Sequence, residues 1–182
     1  HTPNLDGGAR GVIAGDNPVN NVIQFFTIPI QGNATDFGDL SQNRFVGGSG
    51  SSRTRGLFMG GDPGPSGRLD DIDFITIAST GNAATFGEDT IAGLGAACSS
   101  ETRGVNMSGE GNNNISYITI ATTGNAVDFG DVHGGGGNSL YGATGLGSPT
   151  RGVAICGRLH PSPNNDGNSI EYITISTLGN SA

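Results

Sequence analysis

The stretch NISYITIATTGN, at residues 114–125, decides the fold because three close copies of it stand elsewhere in the chain. They read VIQFFTIPIQGN at 22–33, DIDFITIASTGN at 71–82 and SIEYITISTLGN at 169–180. Each copy has Ile at its second position, an aromatic residue at its fourth, Thr-Ile at its sixth and seventh, and Gly-Asn at its end. Such β-branched and aromatic runs closed by Gly-Asn are typical of strands that end at a turn. The sequence therefore predicts one strand of this kind in each of four units.

Alternation predicts that both faces of this strand are covered. In the third copy, Ile115 and Tyr117 fall on one face, whereas Ile118 and Ile120 fall on the other. Apolar residues on both faces are expected of an inner strand that lies between other layers. Pro29 interrupts the first copy. Because proline has no N–H to donate to a neighbouring strand, we expect a sheet edge or a bulge there.

Two further phrases flank each block. An Arg-Gly phrase precedes it, as in TRGVNMSGE from residue 102, and its short apolar run predicts a second strand. Its arginines are Arg10, Arg55, Arg103 and Arg151, spaced 45, 48 and 48 residues apart. An Asp-Phe-Gly-Asp phrase follows the Gly-Asn turn, as in AVDFGDV at 126–132, and predicts a third strand. A weaker segment, such as LGAACSS at 94–100, leads into the next Arg-Gly and completes four strands per unit.

This organisation predicts an all-β fold. Units of about 45–48 residues with four strands have the period of propeller blades, and no segment carries a helical stripe of apolar residues. We expect a β-propeller-like array of four four-stranded repeats within a single domain, 1–182. The predicted units span approximately 1–40, 41–89, 90–132 and 133–182.

The last repeat lacks its outer strand. The sequence reads TLGNSA at 177–182, where a fourth Asp-Phe-Gly-Asp strand would start. Three arrangements are open: a ring that closes without this strand, a longer polypeptide, or a strand supplied by another subunit through edge pairing.

The order of these phrases resembles the kelch repeat, a four-stranded propeller blade with Gly-Gly after its first apolar strand. More specifically, TRGV and YITIATTGNAVDFGDV are similar to kelch-like repeats in structural and tail-associated proteins of phages that infect aquatic bacteria. The resemblance covers the whole chain in four copies and implies a binding or building module without a shared catalytic residue. The chain departs from the kelch pattern because it has no tryptophan and keeps Gly-Gly only at Gly60-Gly61. Four blades are also few for a closed kelch ring.

Composition narrows the possible partners. The chain has 34 glycines, no lysine and a net charge of −8. Such a charge argues against binding to nucleic acid or to anionic membrane surfaces, both of which need basic patches. No apolar run reaches the length of a transmembrane helix. Cys98 and Cys156 are the only cysteines, and we expect two partly buried thiols, with one disulfide as the alternative.

The repeated arginines have two readings. They could bind the carboxylate or sulfate of a ligand, or each could pack across a turn and pair with an aspartate of a neighbouring Asp-Phe-Gly-Asp strand. The candidate aspartates are Asp36, Asp39, Asp128 and Asp131. Because architecture repeats in every unit and active sites seldom do, we expect the structural role.

No motif predicts a metal, a cofactor or catalysis. The histidines are His1, His133 and His160, and none has a partner at ligand spacing. RLDDID at 68–73 and NNDGNS at 164–169 offer oxygen ligands but lack the closing Glu of a calcium loop. GGGGNS at 134–139 lacks the Lys of a phosphate loop, and no nucleophile elbow occurs. We therefore expect a protein without a cofactor that is not an enzyme.

Binding and assembly remain as the expected functions. We expect an extracellular or virion component, either an adhesive part of a phage tail or fibre or a subunit that polymerises. The partners would be other copies of the chain and surface carbohydrate, with Tyr117 or Tyr141 stacking on sugar rings. Glycosylation sequons stand at Asn33, Asn106 and Asn114.

Overall fold

The computed structural model describes residues 10–16, 18–45, 47–65, 67–109, 111–132, 139–155, 157–160 and 169–182. In chain order, its strands are β1 (Arg10–Ala14), β2 (Asn20–Thr27), β3 (Thr35–Arg44), β4 (Gly48–Ser51), β5 (Arg55–Gly61), β6 (Leu69–Thr76), β7 (Ala84–Glu88), β8 (Ala96–Ser99), β9 (Arg103–Gly109), β10 (Asn112–Thr119), β11 (Val127–Asp131), β12 (Ser139–Tyr141), β13 (Thr144–Gly147), β14 (Arg151–Ile155), β15 (Arg158–His160) and β16 (Ile170–Thr174). No helix occurs among these residues, so the all-β prediction is confirmed.

The strands form four antiparallel sheets and one small ribbon. Sheet 1 has the order β1-β2-β3, sheet 2 β4-β5-β6-β7, sheet 3 β8-β9-β10-β11 and sheet 4 β13-β14-β16, while β12 pairs with β15. Strand β3 crosses the unit boundary expected at residue 40, and the division of 1–182 into one domain of four units stays a prediction. The predicted β-propeller-like array of repeated sheets is confirmed.

The repeated Ile-rich block forms an interior strand of sheets 1 to 3 and the edge strand β16 of the described part of sheet 4. Strands β2, β6 and β10 pair on both sides, and the repeated Thr lies opposite the repeated Arg, as in Arg55↔Thr76 and Arg103↔Thr119. The pairing with the Asp-Phe-Gly-Asp strand contains a bulge after the first Ile in units 1 to 3. Pro29 is not in the sheet, because β2 ends at Thr27 and the proline lies in the following turn. The expected edge or bulge at Pro29 is therefore wrong.

Each sheet has two apolar faces that pack against different neighbours. We call them the A face and the B face and define them on sheet 3. Its B face carries Val105, Met107, Ile115 and Phe129, which pack with Ile173 and Ile175 of sheet 4. Its A face carries Ile118 and Ile120, which pack with Leu57, Met59, Ile72 and Phe86 of sheet 2. The same A-on-B packing joins Ile75 of sheet 2 to Ile23 and Phe37 of sheet 1. The prediction that both faces of the Ile-rich strand are covered is confirmed for sheets 2 and 3.

The weak segments form the innermost strands β4, β8 and β13, where neighbouring sheets approach most closely. Apart from Thr144 and Leu146 of β13, their residues are small, because larger side chains would not fit between them. A Cβ at Gly145 would overlap the carbonyl oxygen of Ala97, and a Cβ at Gly48 would lie 2.8 Å from the Ala97 Cβ. Glycine thus permits the close backbone contact between the inner strands of neighbouring sheets.

Sheet 4 stops one strand earlier than sheets 2 and 3. Ala182 and Tyr172 exchange both backbone hydrogen bonds at 3.0 Å. This is the pairing that Val127 makes with Tyr117 and Ala84 makes with Phe74 at the start of β11 and β7. Ala182 therefore occupies the first position of the fourth outer strand, and the rest of the β16 edge has no outer strand among the described residues.

Candidate functional site

The repeated arginine of each unit lies over an aromatic ring of the adjacent strand. The distances from the guanidinium carbon to the ring centroid are 4.6 Å for Arg10–Phe25, 4.7 Å for Arg55–Phe74, 4.7 Å for Arg103–Tyr117 and 4.4 Å for Arg151–Tyr172. These are cation–π distances. The arginine and the aromatic residue recur together because they form one stacked pair.

The first three arginines also bind the next unit. Nη1 of Arg10 donates to the carbonyl oxygen of Ile77 at 2.8 Å, and Arg55 donates to Ile120 at 2.7 Å. Arg103 donates to Ile175 at 2.7 Å. Each of these three arginines thus holds its own sheet and the A face of the following sheet together. The guanidinium of Arg151 contacts Tyr172, and no following carbonyl lies within its reach in the part of the chain that the structure describes.

The expected pairing of these arginines with aspartates is wrong for the described residues. No ion pair joins them to Asp36, Asp39, Asp128 or Asp131, because those residues lie on the outer strands, two strands away from the strand that begins with arginine. The aspartates instead use their backbone at the junctions. Asp39 and Asp131 donate their N–H to the side-chain oxygen of Asn82 and Asn180, at 3.1 and 3.0 Å.

The last three Gly-Asn turns, at 81–82, 124–125 and 179–180, each dock on the outer strand of the preceding unit. Gly124 donates its N–H to the Phe86 carbonyl at 2.9 Å, and the Asn125 side chain accepts from the N–H of Glu88 at 3.1 Å. A Cβ at Gly87 would overlap the carbonyl of Gly124. The glycine of Asp-Phe-Gly-Asp and the glycine of the next turn therefore recur because their backbones touch.

Buried polar clusters lie at two junctions, the one between sheets 1 and 2 and the one between sheets 2 and 3. Between sheets 1 and 2, Arg44 Nη2 donates to Asp73 Oδ2 at 2.9 Å, and the N–H and hydroxyl of Ser41 donate to the same oxygen at 3.0 and 2.7 Å. The two charged side chains are only 3% and 0% exposed. Burial lowers the pKa of Arg44, and the carboxylates of Asp73 and Asp71 oppose that effect. Removing either member of this pair would leave a buried charge uncompensated.

Between sheets 2 and 3, the buried polar cluster is centred on Asp89. Its carboxylate accepts from the Ser116 hydroxyl and, at 3.0 Å, from the Asn106 amide. Burial raises the pKa of Asp89, and these hydrogen bonds work in the opposite direction because they stabilise the carboxylate. Asp89 is thus a buried acid that has no basic partner among the described residues.

A cavity of about 360 Å³ lies where the inner strands meet. Its lining residues include Arg10, Ser49, Ser51, Cys98, Ser99 and Leu146. Ser99 crosses between two inner strands: its hydroxyl accepts from the N–H of Ser51 at 2.9 Å and lies 3.0 Å from the Ser51 carbonyl. The lining combines hydroxyls and backbone polar groups with small apolar side chains. Its hydroxyls and backbone groups can form hydrogen bonds with a neutral polar ligand.

Cys98 is a free thiol that faces this cavity and packs against Gly152. Only 3% of it is exposed, and burial raises its pKa to about 12. Such a thiol is a small apolar core residue rather than a nucleophile. The expectation of a partly buried thiol is met at Cys98, whereas Cys156 lies outside the described residues.

The structure tests few of the other candidate residues. In the described part of the chain, no three His, Cys, Asp or Glu side chains are grouped as metal ligands. His1, His133, residues 134–138 and residues 164–168 lie outside that part, and the side chain of His160 is not described. No helix that is long and apolar enough to cross a membrane occurs among the described residues.

The sequons differ in accessibility. Asn33 is exposed and Asn114 is half-buried, so glycosylation there stays a prediction. Asn106 is 1% exposed and donates to Asp89, so its side chain cannot carry a glycan in the folded chain. Arg103 lies over the ring of Tyr117, and Phe129 makes a T-shaped contact with that ring, so a sugar cannot stack on its Arg103 side. The side chain of Tyr141 is not described.

Comparison with known proteins identifies a similar fold. No protein-family model matches the chain, and no curated protein matches its sequence. Among solved structures, that of YjhT is similar, with a TM-score of 0.69 and 12% identity over 86% of this chain and 50% of that chain. The matched part of this chain therefore corresponds to half of the YjhT chain. At this identity the similarity shows the β-propeller-like fold alone.

Proposed function

We propose that this chain is a non-enzymatic structural and adhesive repeat module of an extracellular assembly, and more specifically a phage tail or fibre component that contacts host-surface glycans. The structural part of this proposal is supported by the contacts that the repeated arginines make between neighbouring units. Arg10, Arg55 and Arg103 each stack on a ring of their own unit and bind a carbonyl of the next. The most regular charged residues of the chain thus serve as joints, as expected of a repeat scaffold.

The adhesive part rests on the resemblance of the repeats to kelch-like repeats of phage structural proteins and on surface chemistry. The chain is acidic and rich in hydroxyl and amide side chains. Tyr172 is 40% exposed, and Arg151 covers one side of its ring, which leaves the other side for a sugar. Unlike Tyr117, it makes no T-shaped contact with a phenylalanine among the described residues. An exposed ring beside polar groups is suited to stacking on a sugar.

A glycan array of bacterial surface polysaccharides tests the adhesive part. We expect binding by the purified chain that falls at least about tenfold in Tyr172→Ala, the loss of one stacking contact of roughly 1.4 kcal/mol. Leu178→Ala, at a side chain of comparable exposure (58%), is the matched control and should bind normally. Absence of binding to every polysaccharide would contradict the adhesive role.

A second candidate function is a self-assembling subunit of an extracellular fibre, completed by a strand from a neighbouring subunit. An open strand edge favours it: among the described residues, only Ala182 pairs with the side of β16 that corresponds to the β10–β11 pairing of sheet 3. A synthetic peptide of residues 126–132, AVDFGDV, should bind this edge and place its phenylalanine against Tyr172. The same peptide with alanine for phenylalanine is the control, and equal affinity of the two peptides would contradict strand completion.

A further inference from the structure

The two end sheets expose the faces that are buried at every internal junction. On the A face of sheet 1, the exposed fractions are 52% for Ile13, 38% for Val22, 39% for Phe26 and 60% for Ile28. On the B face of sheet 4, they are 56% for Leu146, 66% for Ile170 and 40% for Tyr172. Isolated exposed apolar residues are ordinary, but two such patches at opposite ends mark interaction surfaces.

The same positions are buried inside the array. Phe26 corresponds to Ile75, Ile118 and Ile173, which are at most 3% exposed. Ile170 corresponds to Ile23, Ile72 and Ile115, which are fully buried. The exposed A face of sheet 1 and the exposed B face of sheet 4 therefore have the composition of the faces buried at the internal junctions. Among the described residues, they differ only in having no neighbouring sheet.

Polar groups at the two ends are complementary as well. Arg151 carries the stacked guanidinium that in the other three units donates to the next unit, and Ile28 stands at the position of Ile77, Ile120 and Ile175, whose carbonyls accept that bond. Among the described residues, a donor without its usual acceptor thus lies at one end of the array, and the matching carbonyl position lies at the other.

We propose that the A face of sheet 1 receives the B face of sheet 4 of a second copy of this chain, with Arg151 of one copy donating to the Ile28 carbonyl of the other. The occupant is a second copy because the chain itself contains three junctions of this chemistry and because each end offers the half that the other end lacks. This inference does not rest on glycan binding, and the contact would cover Tyr172, the ring proposed to stack on a sugar. It differs from strand completion because the contact lies on sheet faces rather than on a strand edge.

Such a contact is heterologous, so it predicts a complementation that a symmetric contact does not. Phe26→Asp destroys the A face and leaves the B face intact, whereas Ile170→Asp destroys the B face and leaves the A face intact. Each variant alone should be a monomer of 18.3 kDa. An equimolar mixture should form a dimer of twice that mass, because one good A face meets one good B face.

The experiment is size-exclusion chromatography with light scattering over a concentration series. The unmodified chain should exceed 18.3 kDa in a concentration-dependent way, and Arg151→Ala should weaken association about tenfold or more. Val127→Asp is the control, because this side chain is 55% exposed on an outer strand and belongs to neither end face. Circular dichroism verifies folding, and Ile28→Asp replaces Phe26→Asp if that variant does not fold.

Three results would overturn the proposal: an unmodified chain that stays monomeric, a mixture of the two face variants that does not associate, or dissociation by Val127→Asp. The AVDFGDV peptide separates this contact from strand completion. An excess of peptide should leave face-to-face association unchanged, and dissociation by the peptide would assign the contact to the strand edge instead.

Discussion

The guanidinium of Arg103 is 2.7 Å from the carbonyl oxygen of Ile175, 72 residues further along the chain, while it lies over the ring of Tyr117 in its own unit. One side chain thus contributes to two sheets at once. Equivalent contacts of Arg10 and Arg55 make this the recurring joint of the array.

Replacing Arg103 with alanine should destabilise the chain more than the same change at Arg151. Arg103 loses a charge-assisted hydrogen bond of about 1.5–3 kcal/mol and a cation–π contact of about 0.5–1 kcal/mol. Arg151 loses the stacking alone, so we expect less than about 1 kcal/mol. Urea unfolding followed by circular dichroism, at a concentration where the chain is monomeric, gives both values. Equal losses would show that the bond to Ile175 contributes little.

Glycines at the junctions should differ in their tolerance of alanine. A Cβ at Gly87 would overlap the backbone of Gly124, so Gly87→Ala should cost about 1–3 kcal/mol through overpacking. Gly32, the equivalent of Gly124 in the first unit, has no heavy atom within 4 Å of its Cβ position. We expect Gly32→Ala to change stability by less than about 0.5 kcal/mol. Thermal unfolding of the two variants is the measurement, and equal melting temperatures would contradict the docking of turn on strand.

The buried carboxyl of Asp89 should make stability depend on pH in an uncommon direction. Burial raises its pKa in the folded state above the ordinary 3.8, so the folded chain holds this proton more tightly than the unfolded chain does. Its contribution to stability is full below the unfolded-state pKa and is lost as the pH rises through the folded-state pKa.

Asp89→Asn should remove this contribution, and the free energy of unfolding of the variant should fall less between about pH 3.5 and 7 than that of the unmodified chain. The amide can keep its contact with Asn106, whose Oδ1 has no hydrogen-bond partner and can accept if that side chain turns over. Urea titrations at several pH values compare the two proteins, and parallel pH profiles would contradict a raised pKa.

Cys98 should resist thiol reagents while the chain is folded. With a pKa of about 12, roughly one thiol in ten thousand is ionised at pH 8, and the side chain is also shielded from solvent. Ellman's reagent should therefore label Cys98 only as fast as the protein opens, and at the rate of a free cysteine in urea. A Cys156→Ser background isolates this signal. Rapid labelling without denaturant would place Cys98 at an accessible surface.

The repeated phrases predicted the fold well because burial follows directly from alternation. Ile115 and Ile118 were assigned to opposite faces by spacing alone, and they pack in different cores. The partners of Arg103 were predicted wrongly, because a period shows that a residue recurs but not which backbone atom lies beside it. The acceptor is a carbonyl, a group that every residue carries and that no sequence pattern marks.

The buried polar residues were missed for a related reason. The third position of the Ile-rich block is polar in every copy, and Asp73 and Ser116 there are at most 1% exposed. A polar residue between an Ile and an aromatic position in every copy was the available signal. Arg44 had no such signal, because it lies at the end of β3 and has no counterpart in the other units.

The junctions between sheets also restrict how the gene for such an array can gain or lose repeats. Each internal unit presents an A face to the unit before it and a B face to the unit after it, at a spacing of 48 residues between the last three arginines. A duplication of one such segment would insert a unit that fits both of its new neighbours, whereas a duplication of any other length would separate a Gly-Asn turn from its outer strand. Genes for arrays of this kind should therefore lengthen and shorten in whole units, with the same two faces left at the ends.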